Sequence, residues 1–281
     1  ELAWSCVIIE VFMYMLHGWL GDPVVPGWIT PTLPFTLAYL NGFEKGPDRI
    51  QAMIALQLLV AFVFIFMGIT KLADKFVNGV PNSIKGGILI AAPITVLQGQ
   101  LSDGSQLMTA PVATLAGTLL LAFLSFSPFC EKNRSKYKIL DIMAKYGNLF
   151  PYLIAMVAGV ALGELSKPVL ELGTVIRIPD FSNIFHTVSI FAVGFPPLSK
   201  FISAIPLALI CYVLAFGDFV TSKTLVEEAQ ESRSDEYIDF NSSRSNLISG
   251  LRNLILAIFA PFPPLAGPLW VGMTVSVAMR Y

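Results

Sequence analysis

Nine long apolar stretches dominate this 281-residue sequence and constrain its fold more than any other feature. They lie near residues 2–20, 24–40, 50–70, 82–99, 110–130, 148–165, 201–221, 244–259 and 261–279. Most of them reach the roughly 17–25 residues that a tilted helix needs to cross about 30 Å of hydrocarbon. We therefore predict an all-α integral membrane protein with several spans. Its expected partner is the lipid bilayer, and its expected location is the cell (inner) membrane.

Composition and motifs exclude several other classes of protein. Hydrophobic residues make up 55% of the sequence and charged residues 13%, whereas soluble domains are about 45–50% apolar and about 25% charged. The net charge of −1 gives no electrostatic attraction to a nucleic acid. Motifs of ATP-driven pumps, serine hydrolases and zinc proteases do not occur, so no enzyme is predicted. His17 and His186 stand alone in the sequence, so no metal site or cofactor is expected apart from a coupling ion.

Two of the apolar stretches carry too many prolines to be regular helices. Residues 26–34 contain three prolines, and residues 261–268 contain four. Proline removes a backbone hydrogen bond and clashes with the preceding turn. In a membrane, broken backbone occurs only where it is buried in protein or lines a wet cavity. Paired broken segments in two halves of a chain therefore predict the binding site of a transporter.

The distribution of lysine and arginine predicts an orientation. We numbered the nine stretches as the second to the tenth spans of a protein with a cytoplasmic N-terminus. Most basic residues of the connecting loops then fall on the cytoplasmic side, as membrane proteins generally show. On this scheme residues 222–243 form a cytoplasmic loop, and residues 131–146 form a cytoplasmic amphipathic link.

Three motifs resemble one superfamily of transporters. The stretch DKFVNGVPNSIKGGI (74–88) is similar to the junction between the fourth and fifth helices of nucleobase/ascorbate permeases and sulfate permeases. ISGLRNL (248–254) and FAPFPP (259–264) resemble the glycine/asparagine pattern of their ninth helix and the proline that opens their tenth segment. VPGWITPTLP (25–34) resembles their third segment, which is half strand. The order of these motifs extends over nearly the whole chain.

The resemblance implies a fold of fourteen segments in two inverted repeats of seven. Short strands of the third and tenth segments pair, and a half-helix follows each strand. Residues 1–165 then form most of the first repeat, residues 166–200 an amphipathic connector, and residues 201–281 the start of the second repeat. The chain would cover segments two to ten, and transporters that look like this one often form homodimers.

The implied substrate site lies between the two broken segments and faces the eighth helix. Half-helices direct positive N-terminal ends towards it, which favours an anionic or carbonyl-bearing solute. The residues carried over to this site are Thr30, Pro31, Thr32, Leu33, Leu214, Pro264, Leu265, Ala266, Gly267 and Leu269.

The type of solute is suggested by a departure from the nucleobase permeases. Their eighth and tenth segments bind ring N–H groups through acidic side chains, but Leu214 and Leu269 stand at those positions here. We therefore expect a permease for a small anion such as sulfate, bicarbonate or a carboxylate. A uracil or xanthine proton symporter and an uncoupled anion channel or exchanger stay open as alternatives.

Asp218 is the candidate for binding a coupling cation. A carboxylate in a membrane segment is costly enough to suggest a function, and Thr221 and Ser222 follow it on the same helical face. These oxygens suit Na⁺, and the carboxylate alone suits H⁺. The arrangement also looks like the eighth-helix sodium site of some bicarbonate-transporting relatives of the sulfate permeases. A solvated acid at the end of the helix, beside Lys223, is the alternative.

Four further residues are weaker candidates. Arg252 is expected to pair with Asp218, to hold an anion or to snorkel. Glu10 is expected either to face the interior or to lie near a helix end. Trp28 and Trp270 occupy matching places in the two repeats and are expected to line the pocket or to anchor at the interface.

Overall fold

The computed structural model describes residues 2–79, 97–101, 104–146, 149–167, 179–232 and 237–268, together with residues 81, 83, 87, 90, 94 and 235. It is 75% helical and contains almost no sheet, so the expected helical class is confirmed. The chain divides into two compact units. The first comprises Glu1–Ile90 and Ile178–Tyr281, and the second comprises Ala91–Arg177.

The described helices and strands are numbered here in chain order. They are α1 (Leu2–Trp19), β1 (Gly27–Trp28), α2 (Leu33–Asn41), α3 (Pro47–Ile69), α4 (Leu72–Gly79), α5 (Gln106–Thr109), α6 (Pro111–Phe126), α7 (Pro128–Asn133), α8 (Lys138–Lys145), α9 (Leu149–Ala161), α10 (Phe181–Thr187), α11 (Ile190–Val193), α12 (Leu198–Ser232), α13 (Ser242–Phe259) and β2 (Ala266–Gly267). A 3₁₀ turn at Thr30–Thr32 connects β1 to α2.

Helix α3 is the centre of the first unit, because both α12 and α13 pack along it. The fully buried Phe64 of α3 contacts Tyr212 and Phe219 of α12, with ring centroids 5.1 and 5.9 Å apart. Gly250 of α13 lies so close to α3 that a Cβ atom there would stand 2.7 Å from Cγ1 of Ile65. Helix α3 therefore packs against both α12 and α13, while Phe62, Phe66 and Ile69 on it stay exposed.

Polar bonds fix the ends of these three helices. Lys200, near the start of α12, donates from Nζ to the Asp48 carboxylate at 2.6 Å and to Gln51 Oε1 at 3.0 Å. At the other end of α3, Asp74 of α4 accepts hydrogen bonds from the backbone N–H and the hydroxyl of Ser243. The DKFVNGVP motif thus begins with a residue that holds the start of α13.

Apolar side chains are also exposed in rows on the outside of the first unit. Leu198, Ile202, Ile205, Leu209 and Val213 recur every three or four residues along α12, and all are exposed. Continuous exposed apolar surface of this kind marks contact with a membrane or another protein. Among the described residues, α3 and α12 are long and apolar enough to cross a membrane, with mean hydropathies of 2.6 and 2.0. These two helices support the prediction of a membrane protein.

Helix α12 is longer than the sequence analysis expected. It continues to Ser232, so residues 222–232 of the expected loop 222–243 are helical. Val226 and Ala229 in this part are buried, and Lys223 pairs with Glu227 one turn later at 3.6 Å. These buried side chains and this ion pair therefore stabilise α12 beyond its apolar run.

Other expected segments are seen only in part. Within the expected connector 166–200, residues 168–178 lie outside the described residues, and the remainder includes α10, α11 and the start of α12. Most of the expected span 82–99 and the final residues 269–281 also lie outside the described residues. The expected link 131–146 contains the end of α7 and all of α8.

The second unit has α6 and α9 as its main packed pair. Glu164 follows α9, and its two carboxylate oxygens accept hydrogen bonds from the N–H groups of Val112 and Ala113 at 2.9 and 2.8 Å. These are unpaired donors of the first turn of α6, and a carboxylate at a helix N-terminus also stabilises the helix dipole.

We expect Glu164→Ala to lower the free energy of unfolding by about 0.5–2 kcal/mol, because it removes this cap. Chemical denaturation of the full-length protein in detergent measures the loss. Glu44→Ala, at an exposed carboxylate, is the control and should change stability by less than about 0.5 kcal/mol. Equal stability of the two variants would contradict the capping role.

Candidate functional site

The two proline-broken segments meet as a pair of short antiparallel strands. Gly27 of β1 pairs with Gly267 of β2, and Trp28 pairs with Ala266. A further hydrogen bond of 2.9 Å joins the Ile29 N–H to the Leu265 carbonyl. The expected pairing of the third and tenth segments is therefore present. A Cβ atom at Gly267 would lie 2.9 Å from the Ile29 nitrogen, so this approach requires glycine.

Asn253 of α13 holds β2 through its side-chain amide. Its Oδ1 accepts a hydrogen bond from the Ala266 N–H at 3.0 Å, and its Nδ2 donates to the Ala266 carbonyl at 2.8 Å. Nδ2 also donates to the Ser249 carbonyl at 3.0 Å. The amide therefore bonds to β2 as a neighbouring strand would. Asn253 is fully buried, and these bonds use both of its donors.

Arg252, the preceding residue, binds both strands with one guanidinium. Nη1 donates to the Gly267 carbonyl at 2.9 Å, and Nη2 donates to the Gly27 carbonyl at 3.3 Å. The group also lies 4.8 Å from the centre of the Tyr14 ring, which is a favourable cation–π distance. Arg252 is fully buried, so its positive charge lies within the protein directly beside the strand pair.

Helix α1 and the residues that follow it bring acidic and imidazole groups to this arginine. Glu10 Oε1 lies 3.8 Å from Arg252 Nη2. His17 Nε2 lies 3.4 Å from Arg252 Nη1, and His17 Nδ1 lies 2.7 Å from Asp22 Oδ2. All of these side chains are buried. We call Glu10, His17, Asp22, Arg252 and Asn253 the strand-pair cluster.

The hydrogen bonds of His17 indicate its protonation state. A guanidinium only donates, so the Nε2 atom that faces Arg252 must be an acceptor without a proton. Nδ1 then carries the ring proton and donates a hydrogen bond to Asp22. His17 is therefore neutral in this arrangement.

This cluster corrects two expectations from the sequence. Arg252 does not pair with Asp218 but lies beside Glu10 and the strand carbonyls. His17 is not isolated, because the chain turns after α1 and returns Asp22 to the imidazole. The sequence signal for that turn was the glycine directly before Asp22. Gly21 has a φ of 72°, a backbone conformation that favours glycine.

The expected substrate residues lie where the two segments meet. Thr30–Thr32 form the turn between β1 and α2, and the Thr32 hydroxyl donates to the Ile29 carbonyl at 2.6 Å. It does not cap α2, which begins at Leu33. Pro264 and Leu265 lead into β2, which consists of Ala266 and Gly267.

Helix α12 joins the same region through its apolar side chains. Ile29 and Leu265 share a core with Cys211 of α12, and Leu214 packs against that core. The structure therefore brings together the two proline-broken segments and α12. Leu269 and Trp270 lie outside the described residues, and Trp28 keeps 36% of its surface exposed.

Asp218 lies well inside α12, because the helix continues to Ser232. Asp218 is therefore not at the end of the helix, where the alternative of a solvated acid had placed it. Lys223 is directed towards Asn78 and Glu227. Ser222 is fully buried, and its hydroxyl donates a hydrogen bond to the Asp218 backbone carbonyl at 2.6 Å. The lone pairs of the hydroxyl oxygen are therefore left to bind a cation. Thr221 is also buried, with 9% of its surface exposed.

Comparison with known proteins assigns no family. No protein-family model matches the chain, and no curated protein matches it. The functional interpretation therefore depends on the strand pair, the cluster beside it and α12.

Proposed function

We propose that the protein is a secondary active transporter that takes up a small anionic solute with Na⁺ or H⁺. In this proposal it is a multi-pass protein of the cell (inner) membrane with the fold of two inverted seven-segment repeats. The observation that carries the proposal is the antiparallel pairing of the two proline-broken segments, Gly27 with Gly267 and Trp28 with Ala266. Transporters place such segments at their binding site because the broken backbone offers free polar groups there.

The electrostatics of the strand pair favour an anion. Helix α2 begins directly after the turn at Thr30–Thr32, and no side chain caps its first turn, so the positive N-terminal end of its dipole favours negative charge. Arg252 brings a guanidinium to the carbonyls of the two strands, and Asp22 in the same cluster balances its charge. Leu214, at the position where a nucleobase permease would carry an acid, packs against the adjoining core and offers no acceptor to a ring N–H.

Uptake by proteoliposomes containing the full-length protein tests the proposal. Labelled sulfate, bicarbonate, succinate and uracil are supplied separately, with and without an inward gradient of Na⁺ or H⁺. We expect one of the anions to accumulate under a cation gradient and to leak out when an ionophore removes that gradient. Accumulation of uracil alone would favour a nucleobase symporter. Uptake that is independent of every imposed gradient would favour a channel or exchanger.

Asp218→Asn tests the proposed cation site, Asp218, Thr221 and Ser222. A lost bond to a charged group costs about 1.5–3 kcal/mol, so a Na⁺ site should weaken by about 10–100-fold. The concentration of Na⁺ that gives half-maximal uptake measures this change, and for H⁺ coupling the pH of half-maximal uptake replaces it. Glu227→Gln on the same helix is the control. Wild-type dependence on both ions in Asp218→Asn would exclude this site.

A further inference from the structure

Glu10 is a buried acid whose carboxyl oxygens lack an ordinary hydrogen bond. The Trp28 side chain is its neighbour, yet neither Glu10 oxygen has a hydrogen-bond partner of normal geometry. Arg252 Nη2 is 3.8 Å from Oε1, whereas a charge-assisted hydrogen bond measures about 2.7–2.9 Å. Arg252 uses Nη1 and Nη2 for the Gly267 and Gly27 carbonyls instead. The carboxyl group and the two carbonyls therefore surround one guanidinium.

The charges of the strand-pair cluster depend on a proton at Glu10. Arg252 contributes one positive charge, and His17 is neutral. Asp22, which accepts the hydrogen bond from His17, contributes one negative charge. The cluster is then neutral when Glu10 is protonated and has a charge of −1 when Glu10 is ionised. A net charge in a buried site is costly, so this environment favours the protonated acid.

The other groups near Glu10 do not replace Arg252 as its charge partner. Cys6 and Tyr14 lie on the same helix within electrostatic range of it. Ile184 and Val188, which pack beside Cys6, are apolar, and His186 of α10 is exposed. Among the described residues, Arg252 is the cation beside Glu10, and the same guanidinium binds both strands.

We propose that Glu10 is a proton-binding site whose occupancy is linked to the binding of the anionic solute at the strand pair. The inference rests on the transport function proposed above and adds to it a proton site separate from Asp218. A Glu10 oxygen takes one proton from water and later returns it to water, and no other covalent bond changes.

The direction of the linkage follows from the charges. With the proton bound, Arg252 holds the Gly27 and Gly267 carbonyls and the cluster is neutral. Without it, the ionised carboxylate leaves a net negative charge beside the strand pair, where an anion would bind. The anion therefore binds more tightly to the protonated form, and by reciprocity the bound anion favours protonation.

A proton fits this site better than a metal ion. A metal cation at the Glu10 carboxylate would lie beside the Arg252 guanidinium, 3.8 Å from Oε1, and would be repelled by it. In the part of the chain that the structure describes, no group of three His, Cys, Asp or Glu side chains could hold a metal ion.

Infrared difference spectroscopy tests the proton site without requiring transport. The full-length protein in nanodiscs is titrated with acid and base, and the carbonyl band of a protonated carboxyl group is followed in H₂O and D₂O. We expect a band that Glu10→Gln removes and that Glu44→Gln, at an exposed acid, leaves unchanged. A band that persists in Glu10→Gln, or that Asp218→Asn removes instead, would overturn the assignment.

The pH dependence of anion binding tests the linkage. Binding of sulfate, bicarbonate and succinate to wild type should strengthen by about tenfold as Glu10 becomes protonated, which lies within the usual range of coupling between sites. Glu10→Gln is a neutral mimic and should bind tightly at every pH, whereas Glu44→Gln should behave as wild type. A Glu10→Gln protein that keeps the wild-type pH dependence, or that binds no anion at any pH, would overturn the linkage. If wild type binds none of the three anions, the transport proposal fails, while the infrared result still decides the proton site.

Discussion

Arg252→Gln should lower the free energy of unfolding by about 3–5 kcal/mol, because removing the buried guanidinium leaves the negative charge of the strand-pair cluster uncompensated. The loss includes the hydrogen bonds from the guanidinium to the Gly27 and Gly267 carbonyls. Arg252 and Glu10 are fully buried, so bulk solvent does not directly replace the bonds that the arginine makes. Chemical denaturation of the full-length protein in detergent measures the change.

Arg244→Gln is the matched control, because Arg244 lies on the same helix. Its side chain bonds to Asp239 at 3.1 Å, but the two side chains are 30% and 62% exposed. Such an exposed pair contributes about 0–1 kcal/mol. Arg244→Gln should therefore be nearly as stable as wild type. Similar losses in the two variants would show that the strand-pair cluster contributes no more than a surface ion pair.

Gly267→Ala should separate the two strands and cost about 1–3 kcal/mol, the usual effect of overpacking. The added Cβ would lie 2.9 Å from the Ile29 nitrogen and 3.0 Å from the Trp28 carbonyl carbon. These are backbone atoms, so the clash cannot be relieved by rotating a side chain. Denaturation measures the loss of stability. In proteoliposomes, uptake should be lost together with the pairing.

Gly18→Ala is the control for this change. Gly18 lies within α1, and a Cβ atom there has no neighbour within 4 Å. Alanine also favours a helix by about 1 kcal/mol over glycine, so this variant should be as stable as wild type or more so. Unaltered stability and uptake in Gly267→Ala would mean that the strand pair tolerates a wider separation and is not the narrow junction described above.

The sequence predicted the features that depend on neighbouring residues. Continuous apolar runs identified α3 and the first half of α12, because a helix that is apolar all round must be buried or face lipid. Clustered prolines identified the two broken segments, because proline cannot continue a helix. The resemblance to permeases went further and implied that these segments pair, which the structure contains as β1 and β2.

The strand-pair cluster could not be derived from the sequence in the same way. Glu10 and Arg252 belong to helices at opposite ends of the chain, and nothing local shows that they approach to 3.8 Å. Asp218 was the more conspicuous acid because it follows an apolar run, so the sequence analysis named it, and not Glu10, as one of the alternatives for Arg252. The second half of α12 was missed because its charged residues look like a loop, although buried Val226 and Ala229 hold it as a helix.

The contacts of α13 limit which parts of the protein are able to move. Gly250 lies tightly against Ile65 of α3, while Asn253 carries both backbone bonds of Ala266. Helix α3, helix α13 and strand β2 are thereby joined as a single rigid block. A transport cycle would have to keep this block intact, so the opening of a path on either side of the binding site would come from elements that rotate or slide around it.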